Sequence, residues 1–244
     1  MAIEFEHTEI INQLQNEEEI FWVNPRQKSA DQANNEAIYS FTDIQEVEDR
    51  FQRFAPFIQL IYPETKERNG ILESELSKID QMKNWLGEEY GTNILGNFYI
   101  KRDDLLPISG TIKSRGAIYE VLKHAETLAL QAGLLKSIDE NYEIFASETF
   151  KIFFSKYNLT VGTTGNLGIS VGAMGRALGC EVTVHMSEEA KTWKKDYLRA
   201  RGVNVVEHST NFSVAVEEGR KASEENSMSY FVDDEHSKEL FLGY

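Results

Sequence analysis

The feature that most constrains this chain is an alternation that begins near residue 159. Short apolar runs, LTVG (159–162), EVTVHM (181–186), VNVVEH (203–208) and SYFVDD (229–234), are separated by stretches of helical length. A strand that returns to lie parallel to its predecessor needs a crossover of about a dozen residues or more, and a helix supplies it. The alternation therefore predicts an α/β fold, a parallel sheet with flanking helices.

The intervening stretches carry their own signals. NLGISVGAMGRALG (166–179) reads as a small-residue helix closed by Gly179. SEEAKTWKKDYLRARG (187–202) reads as a helix with Ser187 as N-cap, acids first and Lys/Arg last, the order that suits the helix dipole. SVAVEEGRKAS (213–223) continues the pattern. Upstream, NFYIKR (97–102) predicts a strand, and Ile118, Val121, Leu122, Ala125 and Leu128 mark one face of a helix over 112–133. The α/β domain is thus expected over 93–244, preceded by a helical N-terminal segment, 1–92. In that segment Ile44, Val47, Phe51, Phe54 and Phe57 recur at three- and four-residue spacing, with Thr42 as N-cap and Pro56 and Pro63 breaking or bending the helix.

Composition excludes several classes. Lys and Arg number 25 against 40 Asp and Glu, a net charge of −15, which argues against nucleic acid or an anionic membrane as partner. The lone Cys180 permits neither a disulfide framework nor a cysteine metal site. There is no run of roughly 18 apolar residues, and the opening MAIEFEHTEI lacks a basic or apolar leader pattern, so a cytoplasmic location is expected. His7, His124 and His208 show no ligand spacing, and His185 reads as a packed or loop histidine; no metal site is expected.

Three stretches can carry chemistry. In LPISGTIKSRG (106–116), Lys113 falls in the first turn of a helix opened by Ser109, Gly110 and Thr111. Unpaired N–H groups and the positive dipole end disfavour an ammonium there, and partial burial acts the same way, so a neutral amine becomes accessible. Schiff-base chemistry with an aldehyde requires that form. The alternative is a solvated surface lysine.

VGTTGNLG (161–168) leaves a strand and opens a helix, where backbone N–H groups favour an anion; Thr163, Thr164 and Asn166 add polar side chains. The alternative is an ordinary tight turn. The third stretch, FVDDEHS (231–237), clusters Asp233, Asp234 and Glu235 beside His236 at a strand end, either for proton transfer or as solvated loop acids. In a parallel sheet the first two loops emerge at strand carboxyl ends, where such folds bind ligands.

LPISGTIKSRG resembles the cofactor-lysine segment of fold-type-II pyridoxal-phosphate enzymes, and more closely that of the D-serine dehydratases (D-serine ammonia-lyases). RFAPFIQLIYPET (53–65), GILESEL (70–76), AIYEVLKHAE (117–126), VGTTGNLG, VTVHMS (182–187), VAVEEGRKA (214–222) and VDDEHSKELFLGY (232–244) resemble the same family. The resemblance implies pyridoxal 5'-phosphate as cofactor, held by Lys113 and by Asn166 at its 3-oxygen. It implies that Thr163, Thr164 and Gly165 receive the carboxylate of D-serine or D-threonine, that Lys113 acts on the Cα proton, and that the products are pyruvate and ammonia. Thr163, or an acid at Asp233–Asp234, is expected to assist proton transfer. Members of that family are longer and place a Gly-rich phosphate loop downstream, whereas no Gly-Gly dipeptide occurs here. The chain is therefore expected to be the N-terminal part of the catalytic unit, with impaired activity; a catalytically silent remnant or partner-binding scaffold is the alternative.

Overall fold

The computed structural model describes residues 8–209 and 212–244, so His7 lies outside it. Two compact units result, Met1–Ser40 and Phe41–Tyr244. The first carries α1 (Thr8–Gln15) and α2 (Ala30–Asn35). Ser29 opens α2 with a capping box, its hydroxyl and the Gln32 side chain each accepting from the other's backbone N–H.

The second unit is built on α3 (Phe41–Ile61), β1 (Leu76–Lys78), α4 (Asp80–Glu89), β2 (Tyr99–Lys101), α5 (Lys113–Gln131), α6 (Glu148–Phe154), β3 (Asn158–Gly162), α7 (Asn166–Leu178), β4 (Glu181–Ser187), α8 (Thr192–Arg199), β5 (Asn204–His208), α9 (Phe212–Glu224), β6 (Ser229–Phe231) and α10 (Lys238–Gly243). The four strands β3 to β6 form a parallel sheet in the order β5-β4-β3-β6. The chain moves outward from β3 to β5, then returns to lay β6 on the other side of β3, with Leu159 opposite Tyr230.

Strand alternation decides which helix covers which face. Leu159, Val182 and Val184 meet α7, whose glycines permit close approach: a Cβ at Gly175 would stand 2.7 Å from Leu159 and 2.8 Å from Val182. The opposite face takes α9, where Gly162 approaches Val216 and His185 approaches Gly219. Gly179 closes α7 in the left-handed conformation, φ +103°, as its position in the sequence suggests.

The core runs from the sheet into an aromatic cluster under α3. The rings of Phe54 and Tyr142 meet edge-on at 4.7 Å, and Phe145 lies 4.8 Å from Phe54 and 4.9 Å from Phe150. Each such ring, fully buried, contributes roughly 1.5–3 kcal/mol of transfer free energy.

Several local expectations are corrected. α3 starts at Phe41, so Thr42 lies inside the first turn and the flanking hydroxyl residue is Ser40. Pro56 does not end α3. It removes one helical N–H bond, but buried Phe54, Ala55, Phe57 and Ile58 on either side hold the helix in place. Ser187 caps no helix. It is the last residue of β4, paired with His208, and α8 begins only at Thr192. Strand β2 forms within 97–102, yet it pairs antiparallel with β1 rather than joining the parallel sheet. The run 229–234 is a strand only to Phe231, which puts Asp233 and Asp234 in the following turn.

Candidate active site

The strand order creates one privileged place. The chain leaves β3 toward β4 on one side, while β6 lies on the other side of β3. Beyond the carboxyl ends of β3 and β6 the connections diverge, and such a switch point leaves a crevice where open α/β sheets take ligands.

One wall of that crevice is the turn after β3. Thr163 is buried and its N–H donates to the His185 carbonyl at 2.9 Å, while its hydroxyl accepts from the Gly165 N–H at 3.0 Å. Gly165 adopts φ +138°, a region open to glycine alone at little cost. Asn166 then begins α7, so that the unpaired first-turn N–H groups and positive dipole end of a 13-residue helix lie at the turn. Thr164 is exposed and Asn166 half-buried. Lys194, from α8, lays its side chain over the turn: a Cβ at Gly165 would fall 2.2 Å from its Cδ and 3.2 Å from its Nζ.

Lys113 heads α5, as its motif suggests. Its Nζ donates to both oxygens of Asp234, at 2.7 and 2.9 Å, and stands 5.0 Å from the centre of the Tyr244 ring. The Tyr244 hydroxyl donates to the same Asp234 carboxylate at 3.1 Å. Burial, then the Asp234 charge, pushes the Tyr244 phenol above its ordinary range. Asp234, 121 residues further on, is a partner that the helix end and burial did not predict.

Asp233 turns elsewhere. Arg220 donates to it at 2.6 Å, and the backbone N–H groups of Glu235 and His236 donate at 3.0 and 3.2 Å. Burial opposes its ionisation, but Arg220 and those N–H groups hold the carboxyl below the usual range.

The Lys113 loop and the Asn166 turn are joined by hydroxyl groups. Ser109 Oγ lies 2.6 Å from Ser114 Oγ and 3.0 Å from Ser170 Oγ, and Ser170 also donates to the Asn166 carbonyl at 3.3 Å. Ile108, in the same loop, is held at φ +79°, a strained conformation for a β-branched residue. One turn-pair along α5 from Lys113, burial pushes the Glu120 carboxyl up to about 7. Tyr230 donates to its Oε1 at 2.9 Å, and Oε2 has no hydrogen-bond partner.

The structure thus brings Lys113 and the Thr163–Asn166 turn to the same end of one sheet. Asp234, inside the acid cluster noticed in the sequence, contacts Lys113. Tyr244, Lys194, Ser170 and Arg220 carry no local signal, since each reaches the site through tertiary packing. Among the described residues no group of three or more His, Cys, Asp or Glu is placed to hold a metal ion, and no helix is long and apolar enough to cross a membrane.

The donor set fits the aldehyde-bearing end of pyridoxal phosphate: a primary amine at a helix start, with the Asn166 amide and a free helix N-terminus on the neighbouring loop. Residues 81–244 match the family described as pyridoxal-phosphate dependent enzyme, and the chain belongs to that family. It is 50% identical over 235 residues to a protein of Fusobacterium nucleatum named "Probable D-serine dehydratase", and 51% identical over 235 residues to one of the same name from Bacillus cereus. Each alignment takes in 96% of this chain and 53% of the relative, so the chain spans about half the length of these relatives. Holo diaminopropionate ammonia lyase from Escherichia coli superposes with a TM-score of 0.59 at 16% identity, over 84% of this chain and 47% of that one, a likeness of fold.

Proposed function

We propose that this chain carries the cofactor-lysine half of a lyase that converts D-serine to pyruvate and ammonia by β-elimination. The observation that supports the reading best is the pairing of Lys113 with the Thr163–Asn166 turn at the switch point, cross-linked by Ser109 and Ser170. Residues 93–244 are read as the domain that bears the cofactor lysine, after the helical segment 1–92. A cytoplasmic setting accords with the acidic chain and its single buried cysteine.

Pyridoxal phosphate, when bound, withdraws electrons from the substrate Cα. Lys113 would hold the cofactor and, once displaced by substrate, move the Cα proton. Asn166 would bond the cofactor's ring oxygen. Thr163, Thr164 and Gly165, at the N-terminus of α7, would receive the carboxylate of D-serine or of D-threonine. Thr163 or Asp233 would assist proton transfer, and the β-hydroxyl would leave as water. Thr163 is buried and faces the turn, whereas Asp233 is engaged by Arg220, so Thr163 is the better placed of the two.

The test treats the 244-residue chain with pyridoxal phosphate, reduces with borohydride and maps the pyridoxyl group by mass spectrometry, while pyruvate formation is followed separately. A label on Lys113, absent in Lys113→Ala, together with pyruvate from D-serine, is the expected result. A label distributed over surface lysines ends the reading. Labelled Lys113 without pyruvate selects the second reading, a partner-binding scaffold.

A further inference from the structure

A cavity of about 470 Å³ lies away from the switch point, at the far end of α7. Ala173, Arg176 and Ala177 of that helix line it, and Arg176 is ten residues, roughly 15 Å along the axis, from Asn166. Its other walls are Tyr62, Glu64, Ile108, Tyr197 and Arg201. The volume falls within the roughly 300–1,000 Å³ common for small-molecule sites.

The charges in this cavity are incompletely matched. Arg201 lies over the Tyr197 ring, 3.4 Å from its centre, and donates to the Tyr197 carbonyl at 3.3 Å, but it has no carboxylate partner among the described residues. Glu64 likewise forms no ion pair there, although the chain's acids outnumber its bases 40 to 25. Arg176 keeps only one half-exposed pair, with Glu181 at 3.0 Å, and donates to the Cys180 carbonyl. One cavity therefore presents an unpaired guanidinium, a second nearby and an unpaired carboxylate. Between them lie two phenol rings and the aliphatic surface of Ile108 and the two alanines. Burial, then Tyr197 and Glu64, raises the Tyr62 phenol above its ordinary range, which keeps its hydroxyl a neutral donor.

We propose that this cavity binds an α-amino acid zwitterion with an apolar side chain. Its carboxylate would meet Arg201 and Arg176, its ammonium Glu64, and its side chain the Tyr62 and Tyr197 rings. Both unpaired charges are then satisfied at once, which a simple anion or amine cannot achieve. D-serine lacks the apolar body that the walls select, so the occupant differs from the proposed substrate.

Calorimetric titration of the 244-residue chain with phenylalanine, in both enantiomers, tests this without any need for turnover. Saturable one-site binding of at least one enantiomer is expected. 3-Phenylpropanoate and 2-phenylethylamine, each keeping one charge, should bind about tenfold or more weakly. Arg201→Gln and Glu64→Gln, both exposed substitutions, should each weaken phenylalanine about tenfold with an unchanged melting curve. Absence of saturable binding, equal binding of 3-phenylpropanoate, or indifference to both substitutions overturns the proposal. So does competition by D-serine that Lys113→Ala abolishes, since that result puts the ligand in the crevice.

Discussion

Lys113 Nζ is bonded to both carboxylate oxygens of Asp234, at 2.7 and 2.9 Å. Before the amine can attack an aldehyde it must loosen both contacts. Charge-assisted hydrogen bonds contribute about 1.5–3 kcal/mol, so the carboxylate resists cofactor capture while it orients the side chain. Asp234→Asn is expected to speed borohydride-trapped labelling of Lys113 by pyridoxal phosphate about tenfold near neutral pH. Slower labelling would instead make Asp234 the group that accepts the amine's proton.

Gly116 is where α10 rests on the cofactor-lysine helix. A Cβ there would stand 2.4 Å from Tyr244 Cε1 and 2.6 Å from the Leu240 carbonyl oxygen. The ring can rotate away, but the carbonyl belongs to the backbone of α10 and the helix must shift. Gly116→Ala is expected to cost about 1–3 kcal/mol, the range for overpacking a filled interface. It should also move Lys113 labelling toward the Asp234→Asn rate, because the Tyr244–Asp234 bond goes with the helix. A variant that unfolds in urea like the parent would show that α10 does not pack there in solution.

Glu126 joins α5 to α3. It accepts from Arg50 Nε at 2.7 Å, from Arg53 Nε at 3.0 Å and from the Tyr142 hydroxyl at 2.6 Å. Burial works against its charge, yet Arg53, Tyr142 and Arg50 hold the carboxyl below its usual range. Glu126→Gln leaves the Arg50 guanidinium, 8% exposed, without its main counter-charge. A loss of about 3–5 kcal/mol is expected, as for removal of one partner from a buried pair. Replacement of Glu126 and Arg50 together by apolar residues should cost less than their single losses summed, because the buried Arg50 charge goes with its partner while Arg53 keeps its pair with Glu46 at 3.1 Å.

The parallel ladder was legible because its signals are local. Period-two apolar runs mark β3, β4 and β5, the 3.6-residue spacing of Ile118, Val121, Leu122 and Ala125 marks α5, and Gly179 closes α7. The lysine motif and the Thr163–Asn166 turn could be found because each sits where a strand or loop meets a helix start. What could not be read depends on contacts across the chain. Strand β1 is only Leu76, Ser77 and Lys78, too short to show alternation, and exists through pairing with β2. Which neighbour, Asp233 or Asp234, meets Lys113 is decided by Arg220 capturing Asp233. Pro56 survives inside α3 because its neighbours are anchored in the core, which a rule about single residues does not anticipate.

Glu120 and His124 lie one helical turn apart on α5, both against Tyr230, and their titrations oppose each other. Burial raises the Glu120 carboxyl from 4.5 to about 7, against the pull of the Ser237 and Tyr230 hydroxyls beside it. The folded chain therefore keeps a proton that the unfolded chain gives up, and this stability is lost as pH rises from about 4.5 to about 7. Burial lowers His124, stacked 4.0 Å from the Tyr230 ring, from 6.5 to about 4. There the unfolded chain takes up a proton that the folded chain refuses, so stability is lost as pH falls from 6.5 toward 4. Between about 4.5 and 6.5 the two slopes cancel. Glu120→Gln removes one of them, so the stability of the variant should climb with pH over that interval relative to the parent. Across the whole window the difference should shift in the variant's favour by about 3 kcal/mol at most. Urea unfolding at pH 5 and pH 8 measures this, and curves that keep a constant separation at both would mean that Glu120 is already ionised in the folded chain.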